Sequence, residues 1–144
     1  MDMRGLPWVL FAPAIGLWCA ALFQPALKAP GTGTAGFRYT GLNCLLLGWI
    51  GIFGRLQWAL PWSANVLYSI SLPWGIFRRQ PGREALVMSL AAIPLALVTL
   101  VNRTIEINEG GDRTAVVVGP GFYLWLSSLV ALAAAQLVRT ASRP

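Results

Sequence analysis

Histidine is absent from the 144 residues. Its absence removes the usual general base at neutral pH and the usual imidazole ligand for zinc or haem. Charge is scarce too. Only 11% of the side chains are Asp, Glu, Lys or Arg, against roughly 25% in soluble globular domains. A soluble fold of this size could not cover itself with water-compatible groups. The same composition excludes disorder, which needs low hydrophobicity and high charge. Acids are scarcest, five against eleven basic residues. None lies inside a long apolar run, where proton relays and ion-coupled carriers place one. No nucleophile stands paired with a base, as acyl transfer needs. Two inverted halves, the usual transporter plan, are not visible. The chain reads as a non-enzyme without a cofactor or resident metal.

What is present is apolar: 56% of the residues, with a mean hydropathy of +0.62. Four runs can cross a hydrocarbon core ~30 Å thick, which takes roughly 20 residues. They are 6–23, 58–77, 85–101 and 122–138. The first is read as an uncleaved span. Cys19-Ala20-Ala21 is a poor cleavage site, and Trp18 excludes a lipoprotein-type one. A fifth run, 41–54, carries Gly48, Gly51 and Gly54. As a helix it would be only about 21 Å long, which suits a re-entrant or interfacial element. Pro25, Pro30, Gly31 and Gly33 mark 24–40 as a loop. Segment 102–118 reads as a β-hairpin. Thr104 to Ile107 alternate, Thr114 to Val118 are rich in β-branched residues, and Glu109-Gly110-Gly111-Asp112 lies between. Its three acids, Glu106 included, form a solvated turn and do not match a calcium-binding loop. The expected fold is an all-α membrane protein in one domain, 1–144. It is a four-helix transmembrane bundle with a re-entrant or interfacial segment and a short extracytoplasmic β-hairpin.

The basic residues orient it. Arg78, Arg79 and Arg83 form the densest cluster and are placed in the cytoplasm, as are Arg139 and Arg143 in the tail. With four crossings both termini are cytoplasmic, and Lys and Arg divide six inside to five outside. With five crossings the division is seven to four. Charge prefers five and segment length prefers four; four is adopted. Cys19 and Cys44 then lie near the same outer face. A disulfide is open to them there, but two buried thiols is the plainer reading. The basic residues are scattered between apolar runs, so no nucleic-acid-binding face can be drawn. They are read as topology signals and contacts to membrane lipids or a partner, above all Arg78, Arg79 and Arg83.

Small residues recur on helix faces: Ala12, Gly16 and Ala20; Ser89, Ala92 and Ala96; Ser127, Ala131 and Ala135. Such faces let helices approach closely. Gln136 stands beside the last and is placed to bond across it. Phe122, Tyr123 and Trp125 read as an interfacial aromatic belt. Asn65, Tyr68 and Ser69 sit at i, i+3 and i+4, on one polar face of the second span. Either they hydrogen-bond between helices, or they line a polar pocket. Arg55 precedes Trp58 and Trp62 and either snorkels to a headgroup or grips a phosphate or carboxylate. The candidate binding group is Arg55, Trp58, Trp62, Asn65, Tyr68 and Ser69.

Three stretches, Cys44-Leu-Leu-Leu-Gly-Trp49, Trp62-Ser-Ala-Asn65 and Gly119-Pro-Gly-Phe-Tyr-Leu-Trp-Leu-Ser127, resemble small polytopic bacterial inner-membrane proteins of unassigned function. Those proteins often carry Ala-Asn-Pro at the head of a helix; here Val66 follows Asn65. The resemblance implies a bacterial inner membrane and no activity. The expected function is to bind another macromolecule, as an immunity protein or an accessory subunit, with a protein partner or a homo-oligomer. The alternative is an oligomeric channel or small-solute carrier lined by the Asn65 face.

Overall fold

The computed structural model describes residues 6–29, 38–54, 56–78, 83–102, 104–106 and 113–142. Helix α1 (Leu6–Phe23) leads into strands β1 (Pro25–Lys28) and β2 (Arg38–Thr40). Next come α2 (Gly41–Leu47), a 3-10 turn (Gly48–Ile50) and α3 (Gly51–Gly54). The long helix α4 (Leu56–Phe77) precedes α5 (Arg83–Leu97), which runs through Pro94 and tightens into a 3-10 turn (Val98–Leu100). Strands β3 (Thr104–Glu106), β4 (Arg113–Ala115) and β5 (Val117–Val118) precede α6 (Pro120–Ala141).

The four long helices form a bundle with two distinct ends. Gly119 N–H donates to the Ala26 carbonyl at 2.8 Å, so α6 starts where α1 stops. At the opposite end Trp8 meets Phe77 edge-on, with centroids 5.6 Å apart, and Arg139 reaches the Arg78 carbonyl at 2.8 Å. We call these the sheet end and the arginine end.

Three strands close the sheet end, in the order β2-β1-β5. This corrects the reading of 24–40 as loop. β1 pairs antiparallel with β2 (Lys28 opposite Arg38) and with β5 (Lys28 opposite Val117). Strands of two to four residues are too short to show alternation, and the pairing joins distant stretches. The expected hairpin pairs as read, with Thr104 opposite Ala115 and Glu106 opposite Arg113. Its turn, 107–112, with Glu109 and Asp112, lies outside the described residues. The second strand stops short of its expected end, because Val117 and Val118 leave to join β1.

Segment 41–54 doubles back. Gly41 packs on Ala21 and Leu22 at the end of α1, while Gly51 packs on Trp58 and Ala59 at the start of α4. Both ends of the segment therefore lie at the sheet end. Gly48 makes the return feasible. A Cβ there would sit 2.6 Å from the Trp62 ring.

The core is built on Phe11, Ala14, Ala64, Tyr68, Ala92, Ala96, Leu129, Leu132 and Ala135. The α5 face is buried as expected, from Ala85 through Ser89, Ala92 and Ala96 to Thr99. The α6 face holds in part: Ala135 is buried and Ala131 packs against the core, but Ser127 is exposed, and Ser128, Leu129, Leu132 and Gln136 also point inward. The α1 face is corrected. On α1, Ala12, Gly16 and Ala20 are all exposed, while Phe11, Ala14 and Ala21 are buried. The reason is area. Burying Phe11 and Leu129 removes far more apolar surface from water than burying alanines does.

Two helices are long and apolar enough to cross a membrane, Arg83–Leu100 and Pro120–Ala141. Only 28% of the first and 44% of the second is buried, unlike the enclosed core helix of a soluble protein. Large apolar side chains face outward on every long helix, including Val9, Phe77, Val87, Leu90 and Leu137. Cys19 and Cys44 are both free thiols. Cys19 is exposed and Cys44 half-buried, so the expected pair of buried thiols is corrected too.

Candidate functional site

The sheet-end half of the bundle encloses a partly open cavity of about 560 Å³. That lies within the 300–1,000 Å³ usual for small-molecule sites. Its walls are aromatic. α1 supplies Trp18, α4 supplies Trp58 and Trp62, and α6 supplies Phe122 and Trp125. Tyr39 of β2 and residues of α2, Asn43, Cys44 and Leu47 among them, cover it.

Hydrogen bonds fix several of these rings. Trp62 Nε1–H donates to the Leu45 carbonyl at 2.9 Å, tying α4 to α2. Trp125 Nε1–H donates to Asn65 Oδ1 at 2.9 Å, tying α6 to α4. Indole nitrogen can only donate, so it sets the orientation of the Asn65 amide. The oxygen is taken, and the two amide N–H groups are left for another acceptor. Trp18 stacks on Tyr68, with centroids 5.8 Å apart and planes 10° from parallel. Tyr68 in turn donates to the Ala14 carbonyl at 2.9 Å.

No Asp, Glu, Lys or Arg lines the cavity among the described residues. Its polar groups are neutral: Tyr39, Asn43, Asn65, Thr99 and Thr104. A charged occupant would lose its hydration without compensation. An uncharged molecule with an apolar body and a hydrogen-bond acceptor fits these walls.

The candidate binding group is divided by the structure. Trp58, Trp62 and Asn65 meet at the cavity. Tyr68 is buried behind Trp18 and lies outside the wall, and Ser69 is exposed. The expected continuous polar face is therefore split. Two of its members bond between helices and the third points away. Arg55 and Arg79 lie outside the described residues. Arg78 and Arg83 are exposed at the arginine end, away from the cavity.

Four aromatic wall residues were not in the expected group: Trp18, Tyr39, Phe122 and Trp125. The aromatic-belt reading of α6 is corrected. Tyr123 is 55% exposed and faces outward, but Phe122 is 2% exposed and packs inward. A signal was available. Phe122 and Trp125 stand one turn apart and share a face, from which Tyr123 departs. Compared with known protein families, characterised proteins and solved structures, the chain matches none.

Proposed function

We propose that this chain is a small integral membrane protein that binds an uncharged lipid-like molecule in the aromatic cavity. The occupant has an apolar chain or ring system and a carbonyl, hydroxyl or ether oxygen for Asn65. The chain performs no covalent chemistry on it. One observation carries the reading: five indole and phenyl rings converge on a 560 Å³ space with no charged side chain among the described lining residues. Flat aromatic faces suit extended apolar chains and planar ring systems.

In this reading α1, α4, α5 and α6 all cross the membrane, and 41–54 enters and leaves on one side. The arginine end, with Arg78, Arg83 and Arg139, is cytoplasmic. Both termini then lie in the cytoplasm and the sheet and hairpin outside. The resemblance noted above supports a bacterial inner membrane. The cavity then opens in the outer leaflet's half of the bilayer.

The test is lipid retention by the purified chain in uncharged detergent, read by native mass spectrometry with diacylglycerol and a short-chain quinone as probes. Wild type should keep one of them through delipidation. Ala21→Phe, which puts a ring into the cavity from α1, should lose it. Equal retention by both proteins, or by neither, would sink the reading.

A second reading, binding of a partner helix or another copy, is favoured by the exposed Ala12-Gly16-Ala20 face. Small faces are where membrane helices pack closely. The immunity and accessory-subunit roles belong to this reading. The channel reading is less well supported, because Asn65 and Tyr68 are already engaged between helices.

A further inference from the structure

Two polar groups of the aromatic cavity are unengaged. Asn65 gives its oxygen to Trp125, and its amide N–H groups meet no acceptor among the described residues. Thr99 stands in the 3-10 turn that ends α5 and lines the same cavity. Only 6% of it is exposed, yet its hydroxyl has no hydrogen-bond partner among the described residues. A helical Ser or Thr often gives that proton to the carbonyl one turn back. Ser89 and Thr140 do so here, at 2.9 and 2.7 Å. Thr99 does not. Nor is either group sealed in protein, as the Trp74 indole N–H is. The open space that both residues line is the cavity.

The two groups stand at different levels. Ser71 of α4 bonds to the Ala85 carbonyl of α5 at 2.8 Å, which fixes the register of these antiparallel helices. Asn65 is six residues from Ser71, and Thr99 is fourteen from Ala85, both toward the sheet end. At roughly 1.5 Å a residue they lie about 12 Å apart along the bundle. Side chains lean toward the N-terminus of their own helix. Asn65 therefore leans toward the level of Thr99, and Thr99 toward that of Asn65. Trp58 and Trp62 of α4 line the cavity alongside.

An occupant held at both levels must carry acceptors on opposite edges of one body. Diacylglycerol does not, because its oxygens gather on the glycerol at one end. A flat ring with two opposed carbonyls does. With a hydrogen bond on each carbonyl it spans about 11 Å from donor to donor, roughly 2.8 Å of it in each bond. Its carbonyls draw electrons from the ring, which suits it to the electron-rich faces of indoles. Trp18, Trp58, Trp62 and Trp125 all line the space. We infer that the cavity binds the ring of a membrane quinone, with one carbonyl on the Asn65 amide and the other on the Thr99 hydroxyl. The apolar tail leaves through the open side. This rests on the reading of the cavity as a site for an uncharged lipid-like molecule and names that molecule's class. The step is binding alone; the ring stays oxidised.

The experiment offers the full chain, in uncharged detergent, equal amounts of diacylglycerol and a short-tailed, fully ring-substituted benzoquinone. Native mass spectrometry reads what is retained. Wild type should prefer the quinone. Thr99→Val keeps the shape without the hydroxyl and should cut quinone retention about fivefold, as for one hydrogen bond. Thr99→Ser returns the hydroxyl and should restore it. The hydroxyl bonds to nothing in the empty chain, so Thr99→Val should leave ligand-free thermal unfolding unchanged. A fall there would make the hydroxyl structural and overturn its role as an anchor. Cysteine labelling locates the ligand. Cys44 is a free thiol that lines the cavity, and Cys19 is a free thiol that does not. Bound quinone should slow maleimide at Cys44 and not at Cys19; shielding of neither, or of both alike, overturns the inference. Retention of diacylglycerol without the quinone, or quinone retention unmoved by Thr99→Val, overturns the quinone assignment and leaves the cavity reading standing. Retention of neither ligand sinks the cavity reading itself, and the quinone with it.

Discussion

The two ends of the bundle solve the same packing problem in opposite ways. At the sheet end the helices are held apart by rings. Trp18, Trp62, Phe122 and Trp125 stand between them and leave a cavity. At the arginine end the helices close on small side chains. Ser71 reaches the Ala85 carbonyl at 2.8 Å, and Gly75 leaves room for the fully buried Gln136. Gln136 donates to the Ser71 carbonyl at 2.9 Å, tying α6 to α4. One helix, α4, runs through both environments. Its residues up to Asn65 meet aromatic neighbours, whereas Ser71 meets Ala85 and Gly75 meets Gln136 before Phe77 closes the end on Trp8. Side-chain size along a single helix thus decides where the bundle is open and where it is shut.

Glycine substitution probes that difference most strongly. A Cβ on Gly75 would sit 2.8 Å from Gln136 Cδ and Oε1, and closer still to Nε2. The amide is fully buried and held by Ser71, so it has nowhere to move. We expect Gly75→Val to cost about 3 kcal/mol, the upper range for overpacking. At the sheet end, Gly48→Ala puts a Cβ 2.6 Å from Trp62 Cδ1. There the ring can shift into the cavity, and the expected cost is about 1 kcal/mol. Thermal unfolding in detergent measures both. Equal costs would mean the cavity does not relieve strain and the two ends are not different in kind.

The sequence carried the helices well and the site only in part. Runs of apolar residues bracket α1, α4, α5 and α6 to within a few positions, because spanning length and composition are local properties. The short length of 41–54 already disfavoured a traverse, and the segment does double back. Two features were out of reach. β1, β2 and β5 are held by pairing between distant stretches, with no alternation long enough to register. The cavity needs rings from α1, α4 and α6 at one level, and no spacing within a single helix reports that. The small-residue face on α1, and Ser127 of the one on α6, were misread for a related reason. Spacing shows that a face exists but not which face wins burial. Phe11 and Leu129 won because they are larger.

Hydrogen bonds across the open end give the next test. Tyr68→Phe removes the bond to Ala14 while keeping the stack on Trp18. We expect a loss of about 1 kcal/mol, typical of one interhelical bond in a membrane protein. Retention of the uncharged lipid should not change, because Tyr68 lies behind the wall. Asn65→Leu should do the reverse in emphasis. It removes the acceptor for Trp125 and the donors offered to the ligand, so lipid retention should fall by about tenfold, as for a lost polar anchor. If Tyr68→Phe weakens retention more than Asn65→Leu does, the wall has been drawn in the wrong place.

The smallest effect on stability is expected at Gly16, and it bears most directly on the second reading. A Cβ there meets nothing within 4 Å, in contrast to Gly75. Gly16→Val should therefore change the stability of the isolated chain by no more than about 0.5 kcal/mol, as exposed substitutions do. Its consequence would lie between chains. Cys19 is exposed one turn further along α1, close enough to report on a neighbour. If a second copy packs against Ala12, Gly16 and Ala20, oxidation in membranes should join Cys19 to its counterpart. The larger side chain of Gly16→Val should then reduce that cross-link, because small faces pack by letting backbones approach. A stable chain that forms no cross-linked dimer, with or without the substitution, removes self-association from the functions of this face. The α1 surface would then meet lipid, and binding would be left to the cavity at the other side of Trp18.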